Sequence, residues 1–210
     1  MAFTTIDKSS LFLTPTLYVG NGSTKTVTGV PFEPDMTWIK NRSGATDNEI
    51  YDKLRGVGYR IYPNTSAGQD DLGSQGLTAW TSDGFTVGNN NAINGNGNNL
   101  VSWNWKAGTT SGISAGSQTI TPTSYSINTT AGFGIYKWSR TGASTTDYFS
   151  HGLGATPTIA IQKKTDGVQG WYVNYTFVDG TMDYMNLNNT NSKFDGTTTC
   201  LLYTSPSPRD

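Results

Sequence analysis

The stretch that decides the fold is Tyr18–Lys40, YVGNGSTKTVTGVPFEPDMTWIK, which returns in altered form at Trp138–Lys163, WSRTGASTTDYFSHGLGATPTIAIQK. Three positions align in the two copies: Gly29 with Gly152, Pro34 with Pro157 and Lys40 with Lys163. Self-similarity within one chain is the signature of repeated structural units. The sequence therefore predicts two related units.

The chain divides into five segments around these copies. They are an N-terminal segment (1–16), a first β unit (17–108), a Gly/Ser/Thr-rich linker or loop (109–131), an incomplete second β unit (132–199) and a C-terminal segment (200–210). The last segment, CLLYTSPSPRD, resembles a translated sequencing adapter, so we expect an artefact after Thr199. The sequence leaves open whether the two units form one sandwich or two domains.

Alternating side chains predict β-strands in both units. Val101, Trp103 and Trp105 alternate with polar residues, and a similar alternation runs from Trp171 to Phe177. The segment NEIYDKLR at 48–55 is short enough for a helical turn, but its Tyr51 aligns with Tyr172 in a predicted strand, which favours a strand. The fold class that follows is all-β, an antiparallel β-sandwich built from two related units, the second truncated.

Aromatic residues are the main candidates for ligand contacts, since indole and phenol rings stack on the apolar faces of sugars. Four tryptophans at alternating strand positions are expected in the core: Trp38, Trp103, Trp105 and Trp171. Tyr51 and Tyr172 occupy matched places in the two units, and Tyr172 lies on the face opposite Trp171. We therefore take Tyr51 and Tyr172 as the candidate exposed ligand-binding residues.

Composition argues against several classes of partner. Charged residues make up 14% of the chain and the net charge is -1, so there is no basic footprint for nucleic acid. No apolar run approaches the roughly 18 residues of a membrane span. The single cysteine, Cys200, lies in the adapter-like segment, which leaves the rest without disulfides or a Cys-ligated metal. We expect no cofactor, no nucleic acid and no membrane.

Candidate catalytic residues are few. His151 is the single histidine and lies in a turn, where a ring that packs or bonds locally is the favoured interpretation. The close acidic pairs are Glu33 with Asp35 and Asp70 with Asp71. Neighbours on a strand point to opposite faces, whereas a glycosidase holds two carboxyl groups across one sugar bond. The sequence therefore predicts no catalytic residues and no enzyme.

Clusters of asparagine and glycine at 89–91 and 94–99 offer many oxygen atoms, as a calcium site does. Asp83 is the one carboxylate nearby, whereas calcium sites contain several. The same residues are those that tight turns require. Turns are therefore favoured, and no metal site is predicted.

Several runs of sequence resemble one family. They are LYVGNGSTKTVTGVPFEPDMTWIKNRS, YDKLRG and SDGFTVGNNNAINGNGNNLVSWNWKAG in the first unit, and GFGIYKWSRTG, HGLGATPTIAIQKK and GWYV in the second. They look like a domain of unknown function repeated in structural, tail-fibre-like proteins of marine tailed bacteriophages. The resemblance implies a concanavalin-type or jelly-roll sandwich and brings no established catalytic residues.

The function that this resemblance implies is a non-enzymatic virion module, a tail-fibre or appendage protein assembled in the host cytoplasm. Its expected partners are other virion proteins and a host-surface glycan, with an oligomeric state left open. The alternative is a carbohydrate-active adhesin or depolymerase fragment on a lectin-like sandwich. The alternative would need a paired acidic site that the sequence does not display.

Overall fold

The computed structural model describes residues 6–113, 119–139, 148–175 and 183–195. Antiparallel strands dominate it, which confirms the all-β prediction. The features predicted at Phe177 and at 200–210 lie outside the described residues. The chain divides into two compact units: unit 1 is Met1–Lys106 with Lys164–Gly170, and unit 2 is Ala107–Lys163 with Trp171–Asp210.

Unit 1 is built from nine strands and one short helix among its described residues. They are β1 (Leu13–Val19), β2 (Lys25–Val27), β3 (Met36–Asn41), β4 (Glu49–Asp52), β5 (Tyr59–Arg60), β6 (Asp70–Asp71), β7 (Leu77–Thr81), β8 (Gly84–Val87), α1 (Asn91–Asn94) and β9 (Asn99–Trp105). Single 3-10 turns occupy Ser9–Leu11 and Gly73–Gln75. The sheets have the orders β1-β9-β3-β4, β2-β8-β7 and β5-β6, and every pairing is antiparallel.

One hydrophobic cluster joins the two larger sheets of unit 1. It contains Tyr18, Val27, Ile39, Tyr51, Leu77, Phe85, Val87, Ile93 and Leu100. Tyr18 meets Phe85 edge to face at 6.2 Å between ring centroids, and its hydroxyl donates to the Ile93 carbonyl at 2.7 Å. Each large apolar side chain buried in this way stabilises the fold by roughly 1.5–3 kcal/mol. The core of unit 1 therefore lies between these sheets.

The inner face of the four-stranded sheet is partly polar. Thr37, Ser102 and Asn104 are all fully buried. Thr37 donates to the Asn104 side-chain carbonyl at 2.8 Å, and the Asn104 amide donates to the Thr14 carbonyl at 2.9 Å and to Ser102 at 3.1 Å. Because each polar group has a partner, its burial avoids the cost of an unmade hydrogen bond.

Because the buried face of this sheet contains polar residues, the alternating tryptophans of β3 and β9 lie on its other face. Trp103 is 37% exposed and meets the half-buried Trp38 edge to face at 6.3 Å, so the prediction that Trp103 lies in the core is wrong. Trp105 is also half-buried, whereas Trp171 in unit 2 is buried as predicted. The alternation of side chains located β9 correctly. It could not show that the polar face of β9, rather than the aromatic face, would be buried.

Unit 2 contains six strands among its described residues. They are β10 (Ser124–Asn128), β11 (Phe133–Lys137), β12 (Ile159–Gln162), β13 (Tyr172–Tyr175), β14 (Asp183–Asn186) and β15 (Phe194–Asp195). β10 and β11 form a hairpin, and the other four form an antiparallel sheet in chain order. β10 lies within the segment 109–131 that the sequence predicts to be a linker or a loop.

Strand pairs in unit 1 correspond to strand pairs in unit 2 after a nearly constant shift in residue number. Met36 pairs with Asp52 and Ile159 with Tyr175, so both partners are shifted by 123 residues. The next strands bring Ile50 opposite Ile61 and Val173 opposite Met185, and the edge pairs are Tyr59 with Asp71 and Asp183 with Asp195. From β5 and β14 onward the shift is 124 (59 to 183 and 71 to 195). The two strand series therefore share one pairing scheme.

We expect Gly84→Ala to destabilise unit 1 strongly. A Cβ at Gly84 would lie 1.9 Å from the Val27 carbonyl oxygen, so β2 and the turn before β8 would have to separate. The expected loss is about 3 kcal/mol in the free energy of unfolding, measured as a lowered urea midpoint. Gly44→Ala is the control, because its Cβ would meet only the Asn41 side chain at 4.0 Å. Equal midpoints for both variants would contradict the prediction.

Candidate functional site

Tyr51, one of the two predicted ligand-binding residues, is fully buried. It lies on β4, which confirms the predicted strand at NEIYDKLR, and its hydroxyl donates to Glu49 Oε2 at 2.5 Å. Burial raises the pKa of its phenol well above the usual range. A ring enclosed in the core cannot stack on a ligand, so the prediction that Tyr51 is an exposed contact is wrong.

Glu49 begins a row of charges that crosses three strands of unit 1. Arg60 donates to Glu49 Oε1 at 2.7 Å and to Asp70 Oδ2 at 2.8 Å. Glu49 is fully buried, and burial raises its carboxyl pKa more than the Tyr51 and Arg60 hydrogen bonds lower it. A raised carboxyl pKa is a feature of general acids. The Glu49 carboxyl group is enclosed, and Tyr51 and Arg60 are its hydrogen-bond partners.

Sequence reasoning missed Glu49 because a glutamate that follows a polar residue at a strand end is typical of a solvated position. The available signal was its spacing of two from Tyr51, which places both side chains on one face of a strand. Because Tyr51 is buried in the core, Glu49 on the same face of β4 is buried as well, and Arg60 provides the compensating charge.

The acidic pairs seen in the sequence make structural contacts. Glu33 and Asp35 both bind Lys53, at 3.0 and 3.6 Å. Asp70 pairs with Arg60, and Asp71 accepts the Gly73 backbone N–H at 2.8 Å. Each carboxylate therefore has a cation or a turn amide as its partner.

His151 bonds locally, as predicted. Its ring is 1% exposed, and Nδ1 accepts the Leu153 backbone N–H at 3.0 Å. An accepting Nδ1 places the proton of the neutral ring on Nε2, which has no hydrogen-bond partner among the described residues. Burial lowers the pKa of the imidazole, so the ring is neutral at pH 7.

The asparagine clusters form a turn at 96–97, as predicted, and the short helix α1, which the sequence does not predict. Asn90 caps α1 by accepting the Ala92 N–H at 2.9 Å. Asp83 precedes β8 and Asn89 follows it, so a four-residue strand of roughly 13 Å separates the lone carboxylate from the first asparagines. Within the described ranges, no group of three or more His, Cys, Asp or Glu side chains is placed to hold a metal.

Asn94 ties two loops together at one end of unit 1. Its side chain is fully buried; its amide donates to Asn21, to the Gly88 carbonyl at 2.7 Å and to the Ser23 carbonyl, and its oxygen accepts the Asn21 N–H at 3.0 Å. One asparagine thus fixes three backbone segments in a single arrangement.

A polar depression lies beside these loops. Its volume is about 260 Å³, and it is lined by Gly22, Ser23, Thr24, Ser74 and Asn89. The 3-10 turn that holds Ser74 is fixed to the opposite wall, because Gly88 donates to the Gly76 carbonyl at 2.7 Å and Asn90 to the Gln75 carbonyl at 3.1 Å. The depression offers hydroxyl, amide and backbone groups on a rigid frame.

A second cavity of about 310 Å³ lies in unit 2. Thr109, Ser111, Thr129 and Ser150 line it with hydroxyl groups, and Ile113 and Ile127 give it an apolar wall. Gly152 keeps this wall in place, since a Cβ there would lie 2.7 Å from the Ile113 side chain.

Tyr172, the other predicted ligand-binding residue, is half-buried on β13. Its ring lies 5.8 Å from Tyr184 on β14, and Tyr184 stacks on Phe194 of β15 at 4.8 Å with 12° between the ring planes. The structure thus places Tyr172 in an aromatic row of unit 2, an environment unlike the enclosed one of Tyr51. A role of Tyr172 in ligand binding stays a prediction.

A family model described as Domain of unknown function (DUF7483) matches residues 8–209. The chain belongs to the DUF7483 family. The DUF7483 match includes the described residues of both units apart from the first two, and it runs into the segment 200–210. Searches of the curated proteins and of the solved structures give no significant match. Among the described helices of this DUF7483 chain, none has the length and apolarity that a membrane crossing requires.

We expect Glu49→Gln to change the pH dependence of stability. Because burial raises the pKa of Glu49, its contribution is fully present below pH about 4.5 and is lost as pH rises through the raised pKa. The variant should therefore gain stability relative to the original chain between pH 4 and pH 8, measured by urea unfolding at each pH.

Glu33→Gln is the matched control, since the Glu33 side chain is 50% exposed and its ion pair with Lys53 is worth at most about 1 kcal/mol. A relative loss of stability by Glu49→Gln as pH rises would show instead that the charged Glu49–Arg60 pair stabilises the fold.

Proposed function

We propose that the two units are copies of one module, each based on a concanavalin-like or jelly-roll sandwich. The shared strand pairing, shifted by 123 and then 124 residues, supports the repeat, and the cluster between the two larger sheets supports the sandwich in unit 1. On this basis the place of Tyr51 is taken by Asn174 rather than by Tyr172, because Thr37 pairs with Tyr51 and Ala160 with Asn174.

We further propose that the chain is a non-enzymatic structural module of a phage virion, in a tail fibre or a similar appendage, and that it binds a host-surface glycan. The resemblance to repeated domains of virion proteins supports the setting. The observation that carries glycan binding is the rigid polar depression at Ser23, Thr24, Ser74 and Asn89. Sugar hydroxyls are read by such short hydroxyl and amide side chains, and a fixed frame lowers the entropic cost of binding.

The carboxyl groups favour binding over hydrolysis. A glycosidase needs a protonated carboxyl and a second carboxylate that both reach the sugar bond. Glu33 and Asp35 share Lys53, and Glu49, whose pKa burial raises, is fully enclosed. The polar depression itself is lined by neutral groups.

Glycan binding is tested on an array of bacterial surface glycans with the purified chain. We expect Ser74→Ala with Asn89→Ala to weaken binding by about tenfold or more, because each lost neutral hydrogen bond is worth about 0.5–1.5 kcal/mol. The control is Ser82→Ala with Asn191→Ala, which removes the same two side-chain types from exposed positions elsewhere. Equal binding by the two double variants would place the glycan outside this depression, and an array without signal would contradict glycan recognition.

The virion setting has a separate test. Antibodies raised against the purified chain should label intact particles of a phage that carries the gene, and immunogold electron microscopy should show the label on the tail or its appendages. Label confined to lysed cells, with bare particles, would contradict a virion role and leave the binding measurement unaffected.

A further inference from the structure

The chain has three Asn–Gly pairs, and all three lie at one end of unit 1. They are Asn21–Gly22, Asn94–Gly95 and Asn96–Gly97. We call the two segments that contain them, residues 20–24 and 88–98, the loop end. Asparagine is a thermolabile residue, and it reacts most readily before glycine, because a following residue without a side chain leaves its backbone nitrogen accessible. The loop end therefore contains the asparagines with the greatest intrinsic reactivity.

The reaction at such a pair is an attack by the glycine backbone nitrogen on the asparagine side chain. The nitrogen gives up its proton and forms a bond to Cγ, the bond from Cγ to Nδ2 breaks, and ammonia leaves. Water then opens the resulting succinimide ring at one of its two carbonyl groups, which yields aspartate or isoaspartate. A glycine N–H that donates a hydrogen bond within the fold is held in place and retains its proton, so that bond opposes the first step.

Each of the three glycine nitrogens donates a hydrogen bond to a backbone carbonyl. The bonds are Gly22 N–H to Asn94 at 2.8 Å, Gly95 N–H to Asn91 at 3.2 Å and Gly97 N–H to Gly20 at 2.9 Å. The first and the last join the two segments of the loop end, and the second closes the end of α1. The contacts that shape the loop end therefore also hold its three reactive nitrogens.

Conversion at Asn94 has a different consequence from conversion at Asn96. The Asn94 side chain is fully buried, and its amide nitrogen donates to three oxygen atoms, which are Asn21 Oδ1 and the carbonyls of Ser23 and Gly88. An ionised aspartate only accepts hydrogen bonds, so it would face these three acceptors with no donor and with its charge buried. Asn96 is exposed, and a charge there stays in water.

We propose that the loop end is a latent site of covalent modification. Its hydrogen bonds suppress deamidation of the three Asn–Gly pairs while unit 1 is folded, and conversion at Asn94 after opening keeps the loop end from closing again. Opening of unit 1 is then followed by a chemical step that cannot be reversed by refolding. The polar depression is lost with the loop end, since Gly22 and Ser23 line it.

The first test compares deamidation rates in the folded full chain and in the chain unfolded by guanidinium chloride, at the same mildly alkaline pH and temperature. Peptide mapping by mass spectrometry gives the rate at each asparagine. We expect the three Asn–Gly pairs to react at least about tenfold more slowly in the folded chain, because the reaction then waits for local opening.

Asn191–Ser192 is the internal control for this comparison. Both residues are exposed, and the Ser192 N–H has no hydrogen-bond partner among the described residues, so the rate at Asn191 should change little on unfolding. Equal rates at the Asn–Gly pairs in folded and unfolded chain overturn the proposal. Slowing of Asn191 by the same factor in the folded chain also overturns it, since protection would then be a general effect of folding.

The second test uses Asn94→Asp, which has the side chain that deamidation produces. We expect a clearly lowered urea midpoint at neutral pH, or complete loss of folding, because the buried carboxylate has no donor. Asn96→Asp is the matched control and should keep the midpoint of the original chain, since its carboxylate is exposed. Equal midpoints for the two variants overturn the proposed block to closing of the loop end.

Discussion

The hydrogen bonds of Asn104 are the constraint on which the rest of unit 1 depends. The Asn104 side chain is enclosed in the sheet and bonds to Thr37, Ser102 and the Thr14 carbonyl, which belong to all three of the strands β1, β3 and β9. Because successive side chains of a strand point to opposite faces, the buried polar residues determine which face every other residue of these strands takes. Trp38 and Trp103 must therefore point to the opposite face of the sheet.

Asn94 acts in the same way at the loop end of unit 1. Buried amides are stable where every donor and acceptor has a partner, and such networks fix one arrangement of the backbone. Asn94 has partners on the loop after β1 and on the loop after β8, so the polar depression beside it inherits a fixed shape. The depression proposed to bind a glycan thus depends on a buried asparagine that is not part of its lining.

The sequence was sufficient to predict the fold class and several strands. Alternation and turn residues located β3, β9 and β13 and the turn at 96–97, because these signals are local. It was insufficient for burial, which depends on partners distant in the chain. Asn104 meets Thr37 across 67 residues, and Arg60 meets Glu49 across 11, so neither Trp103 nor Tyr51 could be assigned to a side of the sheet from its neighbours. The depression at Ser74 and Asn89 was missed for the same reason.

If the units are copies, their differences show which features a module needs. The shifts of 123 and 124 place Tyr172, Tyr184 and Phe194 where unit 1 has Glu49, Arg60 and Asp70. One row of the sheet therefore holds an ion-pair ladder in unit 1 and stacked rings in unit 2. Both solutions link three strands at matched positions of the pairing scheme through contacts between side chains.

The outer positions behave differently from this row, because Met36 and Trp38 and their counterparts Ile159 and Ile161 are all apolar and incompletely buried. A position free to vary would be expected to become polar where water reaches it. Apolar side chains at partly exposed positions are common on folded proteins, so this shared pattern reflects the shared strand pairing and does not by itself indicate a partner.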